Sequence, residues 1–339
     1  MSKHFRSQRG VAIIMAMLIV ALATSVAAYA AWQQNIWVRQ SENTAAQAQA
    51  LAVARAAISF GNMVLVEDLK NSNPLNVDHL KENWASYALT TPVESGSVSG
   101  KIADQQGLFN INNLAATNLV ERALQMQWFV ALLSGLDLPA ALADALQDFV
   151  DADDQGPKED LAYLGKPDPY RTANQPIQSI DELNRVEGFD EKIIEKLKPF
   201  ITAIPILTPP AQGTITPTVP ITPTVPITPI NVNTAPKEVL DAVFGNGKGE
   251  PIITLRDNTP FADIADFETR TNNLLPPVDA KNPAAHPWTS ANIAVKSDYF
   301  LVAAVSEFGN SKNGLVALVQ RGGDASTAPV ILWQKQTLD

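Results

Sequence analysis

Cysteine is absent from the 339-residue chain, which excludes disulfides, thiolate metal sites and cysteine nucleophiles. Histidine is scarce: His4, His79 and His286 lie far apart and form no ligand pair at helical spacing. Positive charge is in deficit as well. Twenty-five Lys and Arg face 35 Asp and Glu, a net charge of −10, and phosphate binding needs a basic face, so nucleic acid is not an expected partner. Known catalytic motifs are missing too. Gly245-Asn246-Gly247-Lys248 lacks the Ser or Thr that a P-loop needs after its Lys, and Gly96-Ser97-Val98-Ser99-Gly100 puts Val where a nucleophile-elbow Ser must stand. An enzyme is not expected. Apolar residues make up 46% and charged residues 18%, so the chain can bury a sizeable core, with room for about two domains.

Charge is also missing from residues 11–38, and 11–31 are almost wholly apolar. Such a run covers ~30 Å as a helix, the thickness of a bilayer core. Trp32 and Trp37 follow it, where an interfacial aromatic belt would sit. Lys3, Arg6 and Arg9 precede it and no basic residue follows until Arg39, which places the N-terminus in the cytoplasm and the bulk outside. The run is too long for a signal-peptide core, and no A-x-A cleavage site precedes a polar start. Gly and Pro are both absent from residues 11–60, and the stretch Ala45-Ala46-Gln47-Ala48-Gln49-Ala50-Leu51 has high helix propensity. One continuous helix of ~75 Å is predicted, with Gly61 as its first stop signal. A plain anchor has no need of so long a rod; a filament subunit does.

What precedes the apolar run is informative: a short basic leader, then Arg9-Gly10, then Val11-Ala12-Ile13-Ile14-Met15. This resembles the class III leader of type IV pilins and pseudopilins. The resemblance implies cleavage by a prepilin peptidase after Gly10, with Val11 as the new, methylated N-terminus. Cleavage would remove three of the 25 basic residues and move the net charge from −10 to −13. Most pilins carry Glu at the fifth mature position, where it meets the N-terminal ammonium of a neighbouring subunit. Here that position is Met15. A buried ammonium without a carboxylate is expensive, so this departure restricts stacking. Within the family, the type II secretion minor pseudopilin K lacks this Glu and is unusually large.

Beyond the rod, residues 97–112 read as a strand leading into a turn, and three more strand signals come at 299–306, 314–320 and 329–334. Gly309-Asn310 and Gly322-Gly323 separate them, as in an antiparallel meander. Roughly 180 mostly helical residues lie between the two strand regions. The fold expected is α+β: a long N-terminal transmembrane helix plus a small antiparallel pilin-like sheet, with a large inserted α-helical domain. Its parts are a leader (1–10), the N-terminal helix (11–60), a pilin-like domain (61–112 and 291–339) and the insert (113–290); pseudopilin K has that architecture by resemblance.

The insert contains a degenerate repeat. Asn110-Ile111-Asn112-Asn113 recurs as Asn231-Val232-Asn233-Thr234, and the eight residues from Pro176 recur from Pro260. Thr234, with Pro236 behind it, Ser179 and Asp263 stand where helix N-caps are wanted. Residues 176–204, with Gly188 at the turn, have a SAM-like or helix-hairpin-helix-like pattern, although Lys192, Lys196 and Lys198 are outnumbered by surrounding acids. Residues 209–229 carry TPTVPI twice and are expected to form an extended linker or surface loop.

The densest ligand cluster is residues 148–160, DFVDADDQGPKED, with six carboxylates and one Lys. Asp151 to Gly156 follow the opening of an EF-hand loop, but Ala162 stands where its twelfth-position Glu would be. Oxygen-only ligands favour Ca²⁺ over Zn²⁺; a solvated acidic loop is the alternative. The pseudopilin K resemblance implies calcium binding, and Asp151, Asp153, Asp154, Glu159 and Asp160 are the residues that would carry it.

The reading is therefore a structural minor pseudopilin in the bacterial inner membrane, single-pass, moving to the tip of a type II secretion pseudopilus and helping initiate its assembly for protein export. Its implied partners are the I and J type minor pseudopilins, the major pseudopilin, the prepilin peptidase and inner membrane lipid. Two readings compete with it: a minor pilin of a type IV pilus, and a DNA-uptake pilin that binds DNA through its helix-hairpin-helix units.

Overall fold

The computed structural model describes residues 9–71, 77–86, 90–153, 155–205, 225–275, 288–309, 311–323 and 326–337. Helix α1 spans Arg9–Asn71, followed by a short α2 (Asn83–Ser86), β1 (Thr90–Val93) and β2 (Gly96–Asp104). Then come β3 (Phe109–Asn110), α3 (Leu119–Gly135), α4 (Ala141–Val150), α5 (Asp160–Leu164), α6 (Glu191–Leu197) and β4 (Ile201–Thr202). After the proline-rich stretch follow β5 (Ile230–Asn231), α7 (Lys237–Phe244), α8 (Gly249–Asn258), α9 (Ile264–Thr271) and β6 (Ile293–Ala294). The chain closes with β7 (Tyr299–Phe308), β8 (Ser311–Gln320) and β9 (Val330–Thr337).

Helix α1 has 63 residues, a rod of ~95 Å. Residues 11–45 are exposed on every side, so the apolar run lies bare. Further on, Ala50, Ala54, Ile58, Gly61 and Leu65 are buried along one stripe. Their spacing of three to four residues keeps them on one helix face, the one that packs on the sheet. Gly61 was the expected stop, but the helix runs through it. A Cβ at Gly61 would lie 2.6 Å from Val302 Cγ1 of β7, so the glycine serves close helix–sheet approach, not termination.

The sheet is antiparallel throughout, in the order β1-β2-β7-β8-β9. The three expected C-terminal strands are present, each extended by a few residues. Edge strand β1 was not expected; its Pro92 is tolerated because an edge strand has one unpaired side. Strands β2 and β7 pair from Gly96↔Phe308 to Asp104↔Phe300, although the whole insert separates them in sequence. Phe300, Val302, Ala304 and Ser306 alternate inward toward α1, and Trp84 packs edge-on to Phe300 with ring centroids 5.2 Å apart.

The insert has its own core, built on Phe109, Phe129, Phe149, Tyr163, Phe244, Phe261, Phe267 and Trp288. Phe109, Ile111 and Ile293 belong to this core, so the expected boundaries at 112 and 291 fall inside it; the sheet ends at Asp104 and resumes at Tyr299. Two short parallel ladders, β3 with β4 and β5 with β6, also hold a body expected to be helical.

The repeated sequence is used twice in the same manner. Asn112 receives the Ile177 N–H on Oδ1 at 2.9 Å and donates from Nδ2 to the Ile177 carbonyl at 2.8 Å. Asn233 does the same with Phe261, at 2.9 and 3.0 Å. Ile177 and Phe261 follow Pro176 and Pro260, the matching first residues of the recurring octets. Ser179 and Asp263 cap as expected, the former in a capping box with Glu182. Thr234 does not. Its Oγ1 donates instead to Asp104 Oδ2 at 2.5 Å. Of the proline-rich stretch, 209–224 lie outside the described residues; Val225 N donates to Thr117 Oγ1 and its carbonyl accepts from Thr117 N, and Thr228 N donates to Asn113 Oδ1.

Both crossings into the insert lie at the end of the sheet far from the apolar span. Asn313 and Ser306 reach Gln47 and Ala50 near that span, whereas Arg321 pairs with Asp68 at the opposite end of the packed stripe. There Asp104, at the end of β2, accepts from Thr234 Oγ1, Ser297 Oγ and Gln106 N, which joins sheet and insert in one buried polar network. From this end the insert also touches the outer sheet face, where Lys335 of β9 pairs with Asp181.

Candidate functional site

Two regions hold the residues singled out by sequence. The first is the start of α1. Gly10 is already helical, and Val11 and Met15 stand exposed on the bare apolar helix, 57% and 63% accessible. Among the described residues no group covers them. Residues 1–8 of the leader lie outside the described residues.

The second region is the acidic loop between α4 and α5. Helix α4 buries Leu142, Ala145, Leu146 and Phe149, and that packing carries Asp148 and Asp151 inward at its C-terminal end. Asp151, Asp153 and Glu159 come together, one carboxylate oxygen from each lying within 4.8 Å of the others. Asp151 and Glu159 are buried and Asp153 is exposed. Arg122, from α3, donates to Asp151 Oδ2 at 2.9 Å and lies 3.6 Å from Asp153 Oδ2. Asp151 Oδ1 is buried with no donor among the described residues. Burial first, then the Asp153 charge, pushes the Asp151 carboxyl up to about 6 despite Arg122.

Asp160 does not join this group. Its Oδ1 accepts from Thr172 N at 3.0 Å and Thr172 Oγ1 at 2.9 Å, and Arg171 approaches Oδ2 at 3.3 Å. It opens α5, and its carboxylate ties that helix to the 170–172 segment instead. Asp154 lies outside the described residues. Asp148 holds the loop from behind, accepting the Lys158 N–H at 2.7 Å, and a Cβ on Gly156 would sit 2.2 Å from Asp148 Oδ1. The loop can pass this close only as glycine.

Three carboxylates facing one guanidinium leave a net charge of −2, the donors are all oxygen, and one buried oxygen lacks a partner. That donor set fits a hard divalent cation such as calcium and does not suit zinc. Arg122 was not anticipated. It lies 29 residues before Asp151 in no local motif, and only the packing of α3 on α4 brings it there.

Comparison with known proteins places these features in a family. A family model described as type II secretion system protein K matches residues 107–206, and a second so described matches 230–285. Both segments fall in the insert, and the proline-rich stretch lies between them. The chain is 30% identical to type II secretion system protein K of Pseudomonas aeruginosa, over 94% of this chain and 90% of that one. It is 27% identical to the protein of the same name from Aeromonas hydrophila, over 94% and 95%. Among solved structures, a chain of the GspK-GspI-GspJ complex from the enterotoxigenic Escherichia coli type 2 secretion system matches with a TM-score of 0.71 at 26% identity, covering 88% of this chain and all of that one.

Proposed function

From the chain's membership of the type II secretion system protein K family, which makes it a minor pseudopilin, we propose that it caps the tip of the pseudopilus and helps initiate its assembly. The observation that carries this reading is where the insert joins: both crossings lie at the end of the sheet farthest from the apolar span. A second subunit stacked beyond that end would meet the insert. Met15 acts in the same direction, because it offers no carboxylate to the N-terminal ammonium of a subunit added above. Growth therefore stops at this chain. The I and J type minor pseudopilins are its expected neighbours, on the strength of the relative solved in complex with GspI and GspJ.

The apolar start of α1 serves as a single-pass inner membrane anchor, with the leader cytoplasmic and the bulk periplasmic. Prepilin peptidase cuts between Gly10 and Val11, and Val11 is then methylated. In the acidic loop, Asp151, Asp153 and Glu159 hold a calcium ion, which would neutralise their charge and fix the α4–α5 loop. The family assignment sets aside the type IV pilus and DNA-uptake readings.

Pseudopili isolated from cells carrying an epitope-tagged copy of this chain test the proposal. Immunogold at one end of each filament, and an N-terminal sequence beginning at Val11, are expected. Gold spaced along the shaft would sink the cap reading, and a chain still beginning at Met1 would sink the processing.

A further inference from the structure

A second group of carboxylates, separate from the acidic loop, lies at the junction of rod, sheet and insert. Asp68 comes from the last turns of α1, Asp78 and Glu82 from the segment after it, and one carboxylate oxygen of each lies within 4.8 Å of the others. Asp78 is 1% exposed. The nearest cation is Arg321, just past β8 and itself 2% exposed. Its Nη1 reaches Asp68 Oδ2 at 2.9 Å and its Nη2 reaches Asp78 Oδ2 at 2.5 Å. Ser297 N donates to that same Asp78 Oδ2 at 2.7 Å. Both hydrogen bonds to Glu82, from His79 N at 2.9 Å and Trp84 Nε1 at 2.7 Å, likewise end on one oxygen, Oε2.

The donors thus crowd onto one oxygen of Asp78 and leave the other bare. Asp78 Oδ1 is fully buried and receives no hydrogen bond from any described residue. A buried carboxylate oxygen without a donor has given up its water and received nothing in return, which is costly unless something else meets it. Charge gives the same picture, since three carboxylates against one guanidinium leave −2 in a largely buried place. No nitrogen or sulfur ligand belongs to the group, which points to a hard cation with oxygen preference.

We propose that Asp68, Asp78 and Glu82 bind a divalent cation, calcium by their chemistry, at the rod–insert junction, as a site separate from the acidic loop. Arg321 then completes the balance by holding the opposite oxygens of the two aspartates. The ion ties the end of α1 to the segment leading into β1, and through Asp78 to Ser297, where the chain returns from the insert. It would fix the angle between the rod and the body it carries, which a membrane-anchored filament subunit needs constant.

The test is calcium titration by calorimetry of the full chain in detergent micelles, stripped first with chelator, with calcium chloride as the only ligand. Glu82→Gln is the principal variant: an amide oxygen still accepts from His79 N and Trp84 Nε1, so the fold should survive while one anionic ligand is lost. The expected result is loss of one bound calcium per chain, or a weakening of one site by about tenfold or more. Asp68→Asn should do the same. In an Asp151→Asn, Glu159→Gln background one calcium should still bind, which separates this site from the loop's whatever the loop itself does. Unchanged stoichiometry and affinity in both Glu82→Gln and Asp68→Asn, or no calcium bound in the loop-disabled chain with its melting transition intact, would overturn the proposal.

Discussion

Asn112 and Asn233 do what no apolar residue of their size can. Each satisfies a backbone N–H and a backbone carbonyl of one distant residue, inside a core where water cannot. Asn233→Ala leaves both groups of Phe261 buried without a partner, at a cost of about 1–3 kcal/mol for each. We expect a loss of roughly 3 kcal/mol in denaturant unfolding, and a comparable loss for Asn112→Ala. A loss under 1 kcal/mol for both would show that the insert does not depend on these clamps. Asp104 makes a prediction of opposite sign to ordinary acid denaturation. Burial outweighs its hydrogen bonds and holds the folded-state pKa at about 6, against 3.8 as the unperturbed value. A raised carboxyl pKa means that the folded state binds the proton more tightly. Its contribution to stability is therefore fully present below pH 4 and is lost as pH rises through 6. Melting curves in chelator should show wild type losing ground relative to Asp104→Asn between about pH 4 and 6.5 and holding level above that; a constant difference throughout would contradict this.

Among the elements, the acidic loop makes the clearest prediction. A ligand that binds only the folded chain stabilises it by RT ln(1 + [L]/Kd), about 2.7 kcal/mol at a hundredfold excess. Calcium should raise the melting temperature of the chain more than magnesium does, because magnesium demands near-octahedral geometry and dehydrates reluctantly. The part of that shift due to the loop should vanish in Asp151→Asn, and identical shifts in wild type and variant would return the loop to a solvated acidic turn. The elements also differ in how legible they were. The rod could be read because uninterrupted apolar composition has few other outcomes. Its end could not, because a glycine reads the same whether it stops a helix or admits a neighbouring strand, and only Val302, far along the chain, decides between them. Thr234 misled for a related reason: a hydroxyl before a helix is a good cap until a buried carboxylate claims it. The loop's cluster was half legible. Spacing marked Asp151 and Asp153, and the family resemblance added Glu159, but Asp160 was added on the same ground and is withdrawn by Thr172, while Arg122 carried no local signal at all.

At the scale of the whole molecule, the pairing of β2 with β7 has a kinetic consequence. Bringing Asp104 to Phe300 in a disordered chain closes a loop of nearly two hundred residues, an entropic cost of about 4–5 kcal/mol from (3/2)RT ln n alone. If the insert folds first, its own core sets the two chain ends side by side and nearly all of that cost disappears. The sheet would then nucleate at the insert and zip toward the membrane, with α1 docking onto a surface that exists only once β7 has joined β2. Pulse-labelled hydrogen exchange during refolding should protect amides of α3, α4 and α7 before those of β2 and β7; simultaneous or reversed protection would refute this order. During synthesis the consequence is sharper. The anchor emerges first and is committed to the bilayer, yet the strands β7–β9, from which its sheet is largely built, are the last to be made. For most of the time needed to translate the chain, the stripe from Ala50 to Leu65 lacks the cover of Phe300, Val302, Ala304, Leu315, Ala317 and Val319, with only Trp84 and Ile102 already made. The newborn subunit thus passes through a stage in which its stem offers a greasy edge to any neighbour.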